Sequence, residues 1–290
     1  MRMLCSLRSS FVVAIICALL TVPLSAQADQ DGWITLFNGK NFDGWYKFLL
    51  ATGKNSDPKS VFKVENGMIH VLGIPGNSAI EREVEGYLAT NQEYSDVRIH
   101  LEYKWGTRRI PSDDESKKNS GLFYLVSGPD KNPQAVQCQI EESDTGDLEL
   151  DGGSLSATTQ VVQMPFPMYS EDDYGPSYHL TIGGPLETRD VRIIKNGDFE
   201  DRRDWNTVDV VLEGNQSTHI VNSRIVNRVW DIRQRSPHKP YPMIPLTRGH
   251  IYLESTGAEI WFRNVKIKPL KPSAQSAKSA SGSAAELAGQ

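Results

Sequence analysis

The sequence predicts an all-β fold, an antiparallel β-sandwich or jelly roll. Strand-length apolar segments recur from Trp33 to Pro269, and Gly, Asn, Asp and Pro residues separate them. The Asn66-Gly67 pair between two such segments is typical of a tight hairpin. No segment shows the sustained apolar period of an amphipathic helix. Together these observations favour strands joined by turns over a helical architecture.

The N-terminal segment is predicted to be an export signal rather than part of the fold. Arg2 and Arg8 precede the apolar run FVVAIICALLTVPL, and small residues at 26–28 form an expected cleavage site. The apolar run is shorter than the roughly 20 residues that a retained membrane helix needs. We therefore expect residues 1–28 to be a signal peptide, the mature chain to have no membrane span, and the protein to be periplasmic or extracellular.

Composition limits the remaining possibilities. The net charge is −5 and Lys and Arg form no basic run, so a nucleic-acid partner is not expected. The mature chain keeps one cysteine, Cys138, so an internal disulfide is excluded and the core alone must stabilise the fold. Residues 272–290 contain almost no large apolar side chain and are predicted to be a disordered tail. One folded domain is expected over residues 29–271.

Two predicted strands each have one apolar and one polar side. The stretch VRIHLEYKW (97–105) and the stretch VQCQIE (136–141) alternate between the two residue types. If the strands are neighbours in one sheet, their polar sides share a surface whose amides and mixed charges suit a neutral sugar. The alternative is that both polar sides are simply solvated, as antiparallel sheets allow. The side chains concerned are Glu102, Lys104, Gln137, Gln139 and Glu141.

Three other features each admit two explanations. The acidic residues in SDTGDLELDGG, among them Asp147, form either an oxygen-rich site for calcium or a similar cation, or ordinary turns. His219 acts either as a base or as a structural hydrogen-bonding group, and the 6 histidines form no metal-ligand motif. Trp205, directly before a strand, either stacks on a sugar ring or closes an edge of the sandwich.

The order of several motifs resembles the bacterial 3-keto-disaccharide hydrolase family. The similarity extends from about Trp33 to Leu270, through LFNGKNFDGW, FKVENGMIHV, NSGLFYLV, QCQIEESDTGD and DWNTVDVVLEGNQSTHIVNS to GHIYLESTGAEIWFRNVKIKPL. The resemblance implies a jelly roll of the concanavalin A-like lectin/glucanase type in an exported protein. The matching motif residues include Asn119, Gly121, Gln139, Asp147, Trp205, Asn206, His219 and Asn222.

Three positions depart from the family pattern. Gln137 stands where related sequences often have an acid, Leu125 where they often have an arginine, and Ser223 where an Asn-Gly turn is usual. The first departure removes an acid from a strand face, so a non-catalytic carbohydrate-binding module is the alternative to an enzyme. A plain structural sandwich is a third interpretation.

The resemblance implies cleavage of 3-keto disaccharides or 3-keto glucosides by elimination. The ketone at C3 acidifies the C2 hydrogen, a base removes it, the group at C1 leaves, and water adds to the unsaturated product. The two opposed carboxylates of standard glycosidases are not required. A separate sugar oxidoreductase would supply the ketone.

This chemistry assigns roles to the candidate residues. Glu141 or His219 is expected to be the base, and Lys104 or a bound divalent cation is expected to stabilise the enolate. Asp147 is the candidate ligand for such a cation, and no other cofactor is expected. The residues expected to bind and orient the sugar are Glu102, Asn119, Gln137, Gln139, Trp205 and Asn222.

Overall fold

The structure is a computed structural model that describes most of the predicted domain. The described residues are 28–71, 83–109, 117–163, 178–180, 186–189 and 192–270. No helix within these ranges is long and apolar enough to cross a membrane. The predicted signal peptide, apart from Ala28, and the predicted tail lie outside the described residues.

The described residues form β-strands, as the alternating pattern predicts. The first ten are β1 (Ile34–Thr35), β2 (Trp45–Leu49), β3 (Gly53–Lys54), β4 (Phe62–Glu65), β5 (Met68–Val71), β6 (Gly86–Thr90), β7 (Val97–Arg109), β8 (Asn119–Ser127), β9 (Gln134–Glu141) and β10 (Leu148–Asp151). The others are β11 (Leu155–Gln163), β12 (Tyr178–Leu180), β13 (Leu186–Arg189), β14 (Asn206–Glu213), β15 (Gln216–Val221), β16 (Arg224–Arg235), β17 (Met243–Pro245), β18 (His250–Ser255) and β19 (Ala258–Pro269).

The strands form two antiparallel sheets. The large sheet has the order β12-β11-β16-β15-β14-β7-β19-β5-β4, with β1 paired to β19, β13 to β11 and β17 to β16. The small sheet has the order β10-β9-β8-β18-β6-β2-β3. Strands far apart in sequence are neighbours, as β7 beside β19 and β8 beside β18, which is typical of a jelly roll. The predicted antiparallel sandwich of the concanavalin A-like type is confirmed.

The apolar sides of both sheets meet in one core. The alternating residues of β7 and β9 show how the pattern produces it, because one side of each strand is buried in this core. From β7 the core receives Val97, Ile99, Leu101, Tyr103 and Trp105, and from β9 it receives Val136, Cys138 and Ile140.

The two outer sides of the sandwich differ in how far they are covered. On β9 the outward side chains are almost as buried as the core, with Gln137 and Gln139 each 4% exposed and Glu141 9% exposed. On β7 the outward side chains are partly exposed, as the side chain of Lys104 is at 37%. The outer side of the small sheet is therefore a covered polar surface, whereas that of the large sheet is wet.

The predicted neighbourhood of β7 and β9 is wrong. β7 lies in the large sheet between β14 and β19, and β9 lies in the small sheet between β10 and β8. Because both strands direct their apolar sides into the same core, their polar sides point away from each other. Glu102 and Lys104 therefore lie on the opposite side of the sandwich from Gln137, Gln139 and Glu141.

His219 is a core residue that links the two sheets. Its side chain is 0% exposed, and its Nε2 atom lies 2.9 Å from the Tyr124 hydroxyl of β8. Its Nδ1–H donates to the carbonyl oxygen of Gly146 at 3.2 Å, because a carbonyl only accepts. Burial lowers the pKa of His219 to about 4. The interpretation of His219 as a base acting on a sugar is inconsistent with this position, and the structural alternative fits it.

Replacement of His219 by Gln is expected to flatten the acid dependence of stability. The folded pKa of about 4 lies below the unfolded value near 6.5, so in wild type the unfolded chain gains a proton first as the pH falls. This contribution is present above about pH 6.5 and is lost towards pH 4, up to about 3 kcal/mol. Urea unfolding at pH 7.5 and 4.5 measures the difference.

The exposed His238 supplies the matched control. His238→Gln should leave the pH dependence of the unfolding free energy unchanged, because the His238 side chain is exposed to solvent in the folded protein as it is in the unfolded chain. If His219→Gln loses as much stability as wild type between the two pH values, the buried neutral imidazole is not the cause.

Candidate functional site

Polar side chains from four strands of the small sheet meet on its outer side. The strand register brings them together, since Gln139 lies opposite Gly121, Glu141 opposite Asn119, and Glu149 opposite Gln137. Glu254 comes from β18, on the far side of β8. We call this surface the acidic face, and its residues are Asn119, Gln137, Gln139, Glu141, Glu149, Asp151 and Glu254.

The amides and carboxylates of the acidic face contact one another directly. The Gln137 Nε2 atom donates to Gln139 Oε1 at 2.7 Å and lies 3.5 Å from Glu254 Oε2. The Gln139 Nε2 atom lies 3.4 Å from Glu149 Oε1. Gly121 makes this approach feasible, because a Cβ atom there would lie 2.3 Å from Gln137 Nε2 and 3.0 Å from Glu254 Oε2.

One arginine, Arg192, packs against the acidic face and the turn that follows β9. Its Nε atom lies 2.9 Å from Asp147 Oδ2 and 3.4 Å from Glu149 Oε1. Its NH2 atom lies 3.2 Å from Asp144 Oδ2 and 3.4 Å from Glu141 Oε2. A single guanidinium therefore offsets part of the repulsion among four carboxylates.

The surroundings raise the pKa of two carboxyl groups of the acidic face, Glu254 and Glu141, by different amounts. Burial, together with Asp151 and Glu149, raises the pKa of Glu254 to about 8. Burial and Asp144 also raise the pKa of Glu141, although Arg192 and Lys117 oppose the shift. At neutral pH Glu254 is therefore mostly protonated, whereas Glu141, whose pKa is raised to about 7, is present in both its ionised and its protonated form.

Asp147 does not fit the role of a cation ligand. Its side chain is 2% exposed, its Oδ1 atom accepts from the Lys195 backbone N–H at 2.9 Å, and its Oδ2 atom accepts from Arg192. Within the described ranges no three His, Cys, Asp or Glu residues are grouped so as to hold a metal ion. The positive charge next to Asp147 is the guanidinium of Arg192.

The other predicted site residues lie on the outer side of the large sheet or at its edge. Glu102 accepts from Arg263 Nε at 2.7 Å and from Asn264, and Lys104 lies 3.1 Å from Asp204. The Trp205 ring stacks under the Arg263 guanidinium, 3.8 Å from ring centroid to Cζ. The structure does not bring Glu102, Lys104 or Trp205 to the acidic face.

Asn222 has a scaffolding position rather than a place on the acidic face. Its Nδ2 atom donates to the carbonyl of Phe199 at 2.7 Å and to Asn206 Oδ1 at 2.8 Å. Its backbone φ of 47° is in the left-handed region, which asparagine tolerates better than most residues. The structure therefore separates Asn222 from the predicted sugar-binding set.

Sequence reasoning missed Glu254 and Arg192. Glu254 had a detectable signal, because HIYLES alternates and places Tyr252 and Glu254 on one side of a strand. Arg192 had none, since it follows a long segment without a periodic pattern. Glu149 and Asp151 were noted as acids of a turn, whereas both belong to β10.

An aromatic cluster borders the acidic face on the same side of the small sheet. It is separate from the main core and contains Tyr46, Phe48, Tyr87, Phe123 and Tyr252. The turn after β8 covers it, because Asp130 accepts from the Tyr46 hydroxyl at 2.6 Å and its carbonyl accepts from the Tyr87 hydroxyl at 2.6 Å. This apolar border explains why the neighbouring carboxyl groups are poorly hydrated.

A shallow groove of about 260 Å³ also lies on the large sheet. Strands β14, β15 and β16 line it, with Gln216, Arg228 and Trp230 among the lining residues. It lies across the sandwich from the carboxyl groups whose pKa is raised, so the acidic face remains the candidate site.

A family model described as the 3-keto-alpha-glucoside-1,2-lyase-like domain matches residues 32–268 of this chain. The match begins just before β1 and ends one residue before the end of β19. It therefore includes every strand of both sheets and all residues of the acidic face.

Three individual proteins illustrate the similarity. A Bacteroides thetaiotaomicron protein named 3-keto-disaccharide hydrolase is 24% identical over 262 residues, which are 85% of this chain and 81% of that protein. A crystal structure from Parabacteroides distasonis, described as a glycosyl hydrolase, is 20% identical, with a TM-score of 0.49 over 83% of this chain and 95% of that one. A Bacillus licheniformis β-glucanase is 12% identical, with a TM-score of 0.38 over 84% and 100%.

Replacement of Arg192 by Met is expected to destabilise the fold more at pH 8 than at pH 5. The change leaves Asp144, Asp147 and Glu149 without the cation that they share. For a partly buried arginine we expect the free energy of unfolding to fall by about 2 kcal/mol. Burial already raises the pKa of Asp147 and loss of the guanidinium raises it further, so Asp147 takes up a proton more readily at pH 5 than at pH 8 and part of the repulsion is relieved. Urea unfolding at both pH values gives the comparison.

Arg248→Met is the control, because Arg248 pairs with Glu93 at 3.2 Å but its side chain is 59% exposed. Its effect should stay below about 1 kcal/mol at either pH. Equal losses in the two variants would mean that Arg192 has no special role in holding the acidic cluster.

Proposed function

The chain belongs to the 3-keto-alpha-glucoside-1,2-lyase-like family, and we propose that its acidic face cleaves the glycosidic bond of 3-keto disaccharides or 3-keto glucosides. The observation that carries the proposal is the pair Glu141 and Glu254. Both carboxyl groups lie on one surface, and burial raises both pKa values towards neutrality, to about 7 for Glu141 and about 8 for Glu254. Similarity to a protein named 3-keto-disaccharide hydrolase supports the same substrate class.

Glu141 is the proposed base. Its carboxylate takes the C2 proton, which the ketone at C3 acidifies, and the electron pair moves into a C2–C3 enolate. A raised pKa of about 7 makes Glu141 a stronger base than an ordinary carboxylate, and Arg192, 3.4 Å away, limits the rise so that part of the population is ionised at neutral pH. Glu141 therefore keeps the role that the sequence assigned to it or to His219.

Glu254 is the proposed acid. As the enolate re-forms the C3 ketone, a C1–C2 double bond forms and the C1–O bond breaks. The leaving oxygen takes the proton of Glu254, which burial keeps protonated at neutral pH. Water then adds: its oxygen bonds to C1, its proton returns to Glu254, and Glu141 returns the first proton to C2.

The remaining residues of the acidic face bind and orient the sugar. Gln137 and Gln139 offer amide donors and acceptors in a fixed pair. Asn119 Oδ1 is buried and has no hydrogen-bond partner in the described part of the structure, so a sugar hydroxyl would satisfy it. Arg192 replaces Lys104 as the positive charge that stabilises the enolate, because Lys104 lies on the other sheet.

The substrate class has two consequences for the cellular setting. A 3-keto sugar forms by oxidation of a secondary alcohol, so a separate sugar oxidoreductase supplies the substrate. The predicted signal peptide places both the reaction and its carbohydrate substrate in the periplasm or outside the cell.

Replacement of Glu141 by Gln is expected to lower kcat on a 3-keto glucoside by about 100-fold or more, because the amide takes no proton from C2. Glu102→Gln is the matched control. It removes an equivalent carboxylate from the opposite side of the sandwich, so its kcat should change by less than about twofold. If Glu141→Gln retains wild-type kcat, Glu141 is not the base.

Replacement of Glu254 by Gln is expected to lower kcat, and to lower it more for a leaving group that must be protonated as it departs. The loss should be about 100-fold with a sugar leaving group and much smaller with p-nitrophenol, which leaves as an anion. The loss in Glu141→Gln should be the same with both substrates. Wild-type binding of both 3-keto sugars without turnover would instead favour the non-catalytic binding module.

The pH dependence of kcat/KM is expected to be bell-shaped. Activity rises with pH as Glu141 loses its proton, and falls above about pH 8 as Glu254 loses the proton that it must donate. With a p-nitrophenyl leaving group the alkaline limb should weaken. An alkaline limb that is equally steep with both leaving groups would assign it to another residue.

A further inference from the structure

A buried carboxylate, Glu200, lies behind the acidic face and belongs to none of the roles described above. Its side chain is 0% exposed. Its Oε1 atom accepts from the Tyr103 hydroxyl and from Trp105 Nε1, each at 2.7 Å. Its Oε2 atom accepts from the backbone N–H of Ser143 at 2.8 Å. One carboxylate thus joins β7 of the large sheet to the turn that follows Glu141.

The loop that carries Glu200 is itself held by two asparagines of the family motifs. Asn206 accepts from the Asp201 N–H at 2.7 Å and donates to the Asp201 carbonyl at 2.8 Å. Asn222 donates to the carbonyl of Phe199, directly before Glu200, at 2.7 Å. These contacts fix the backbone on both sides of Glu200. Asn206 and Asn222 therefore help to set the position of the Glu200 carboxylate.

The turn over residues 142–147 carries Asp144, one of the charges that act on Glu141. Ser143 lies in the left-handed region at φ 77°, a conformation that its two anchored backbone groups maintain. Its N–H donates to Glu200 and its carbonyl accepts from Lys195 Nζ. Asp144, which interacts with Arg192 and Lys117, follows directly.

We propose that Glu200 is a positioning residue that fixes the turn over residues 142–147 and thereby the placement of Glu141 on the acidic face. The inference rests on the proposed function for its catalytic consequence, but the geometry itself is independent of the substrate. It also gives the motif residues Asn206 and Asn222 a role in placing Glu200 rather than in binding sugar.

Glu200→Met removes both acceptor atoms while keeping a side chain of similar length, and it leaves the Ser143 N–H unpaired. The turn should open, which exposes Glu141 to water and moves Asp144 away from it. The pKa of Glu141 should then fall by about one unit towards its ordinary value, as measured by ¹³C NMR of labelled Glu carboxyls. Arg192, Lys117 and Glu254, which also face Glu141, are unchanged in sequence.

Trp105→Phe is the matched control, because it removes one hydrogen bond to Oε1 and keeps the bond from Ser143 to Oε2. It should lower the melting temperature but leave the titration of Glu141 at the wild-type position. Glu200→Gln should be intermediate, because either amide orientation pairs one of the two N–H donors, Trp105 or Ser143, and not both. This graded variant gives the answer if the Met variant does not fold.

In the kinetic assay Glu200→Met should lower kcat about tenfold or more with little change in KM, since a small displacement of a reacting group is costly. If it lowers only the melting temperature, and the titration of Glu141 matches that of Trp105→Phe, the positioning role is refuted. A wild-type protein that leaves 3-keto glucosides intact would refute the proposed function, while the titration would still decide the role of Glu200.

Discussion

The shared core between two sheets is the constraint from which the rest of this structure follows. Every strand that contributes an apolar side to that core must direct its other side outward. For strands of the same sheet the outward sides form one surface, and for strands of opposite sheets they lie on opposite surfaces. The polar residues of β9 and β18 therefore meet, whereas those of β7 are on the other side of the sandwich.

The second determinant is the cover over the outer side of the small sheet. Carboxyl groups placed on a wet surface would keep ordinary pKa values and repel each other weakly. Here burial raises the pKa of Glu254 to about 8 and of Asp151 to about 6. Burial and Asp144 also raise the pKa of Glu141, to about 7, and Arg192 limits that rise because its guanidinium lies 3.4 Å from Glu141 Oε2. The cover thus brings several carboxyl groups of one face into a range near neutral pH, where they can hold or release a proton.

The sequence predicted the strands, the sandwich and the family correctly, and it named some of the residues that the structure brings together on the acidic face. Local alternation identified the outward side chains of β9, and the adjacent NSG motif identified Asn119, which pairs with Glu141. The prediction was wrong for Glu102 and Lys104, because alternation tells which side chains share a strand face but not which strands are neighbours. The side to which His219 points could not be predicted for the same reason. Its ring faces the core because it contacts Tyr124, which belongs to the other sheet.

Gln137, the departure that made a binding module a serious alternative, acquires a physical explanation from its neighbours. Its amide lies 3.5 Å from Glu254 Oε2, and both groups lie over Gly121, which has no side chain to occupy that space. A carboxyl group at 137 would be a second acid at that distance in a buried region, so the two groups would compete for one proton. An amide avoids this competition and donates to Gln139 instead. Glu254, the proposed acid, thus provides a carboxyl group directly beside the position at which Gln137 lacks one.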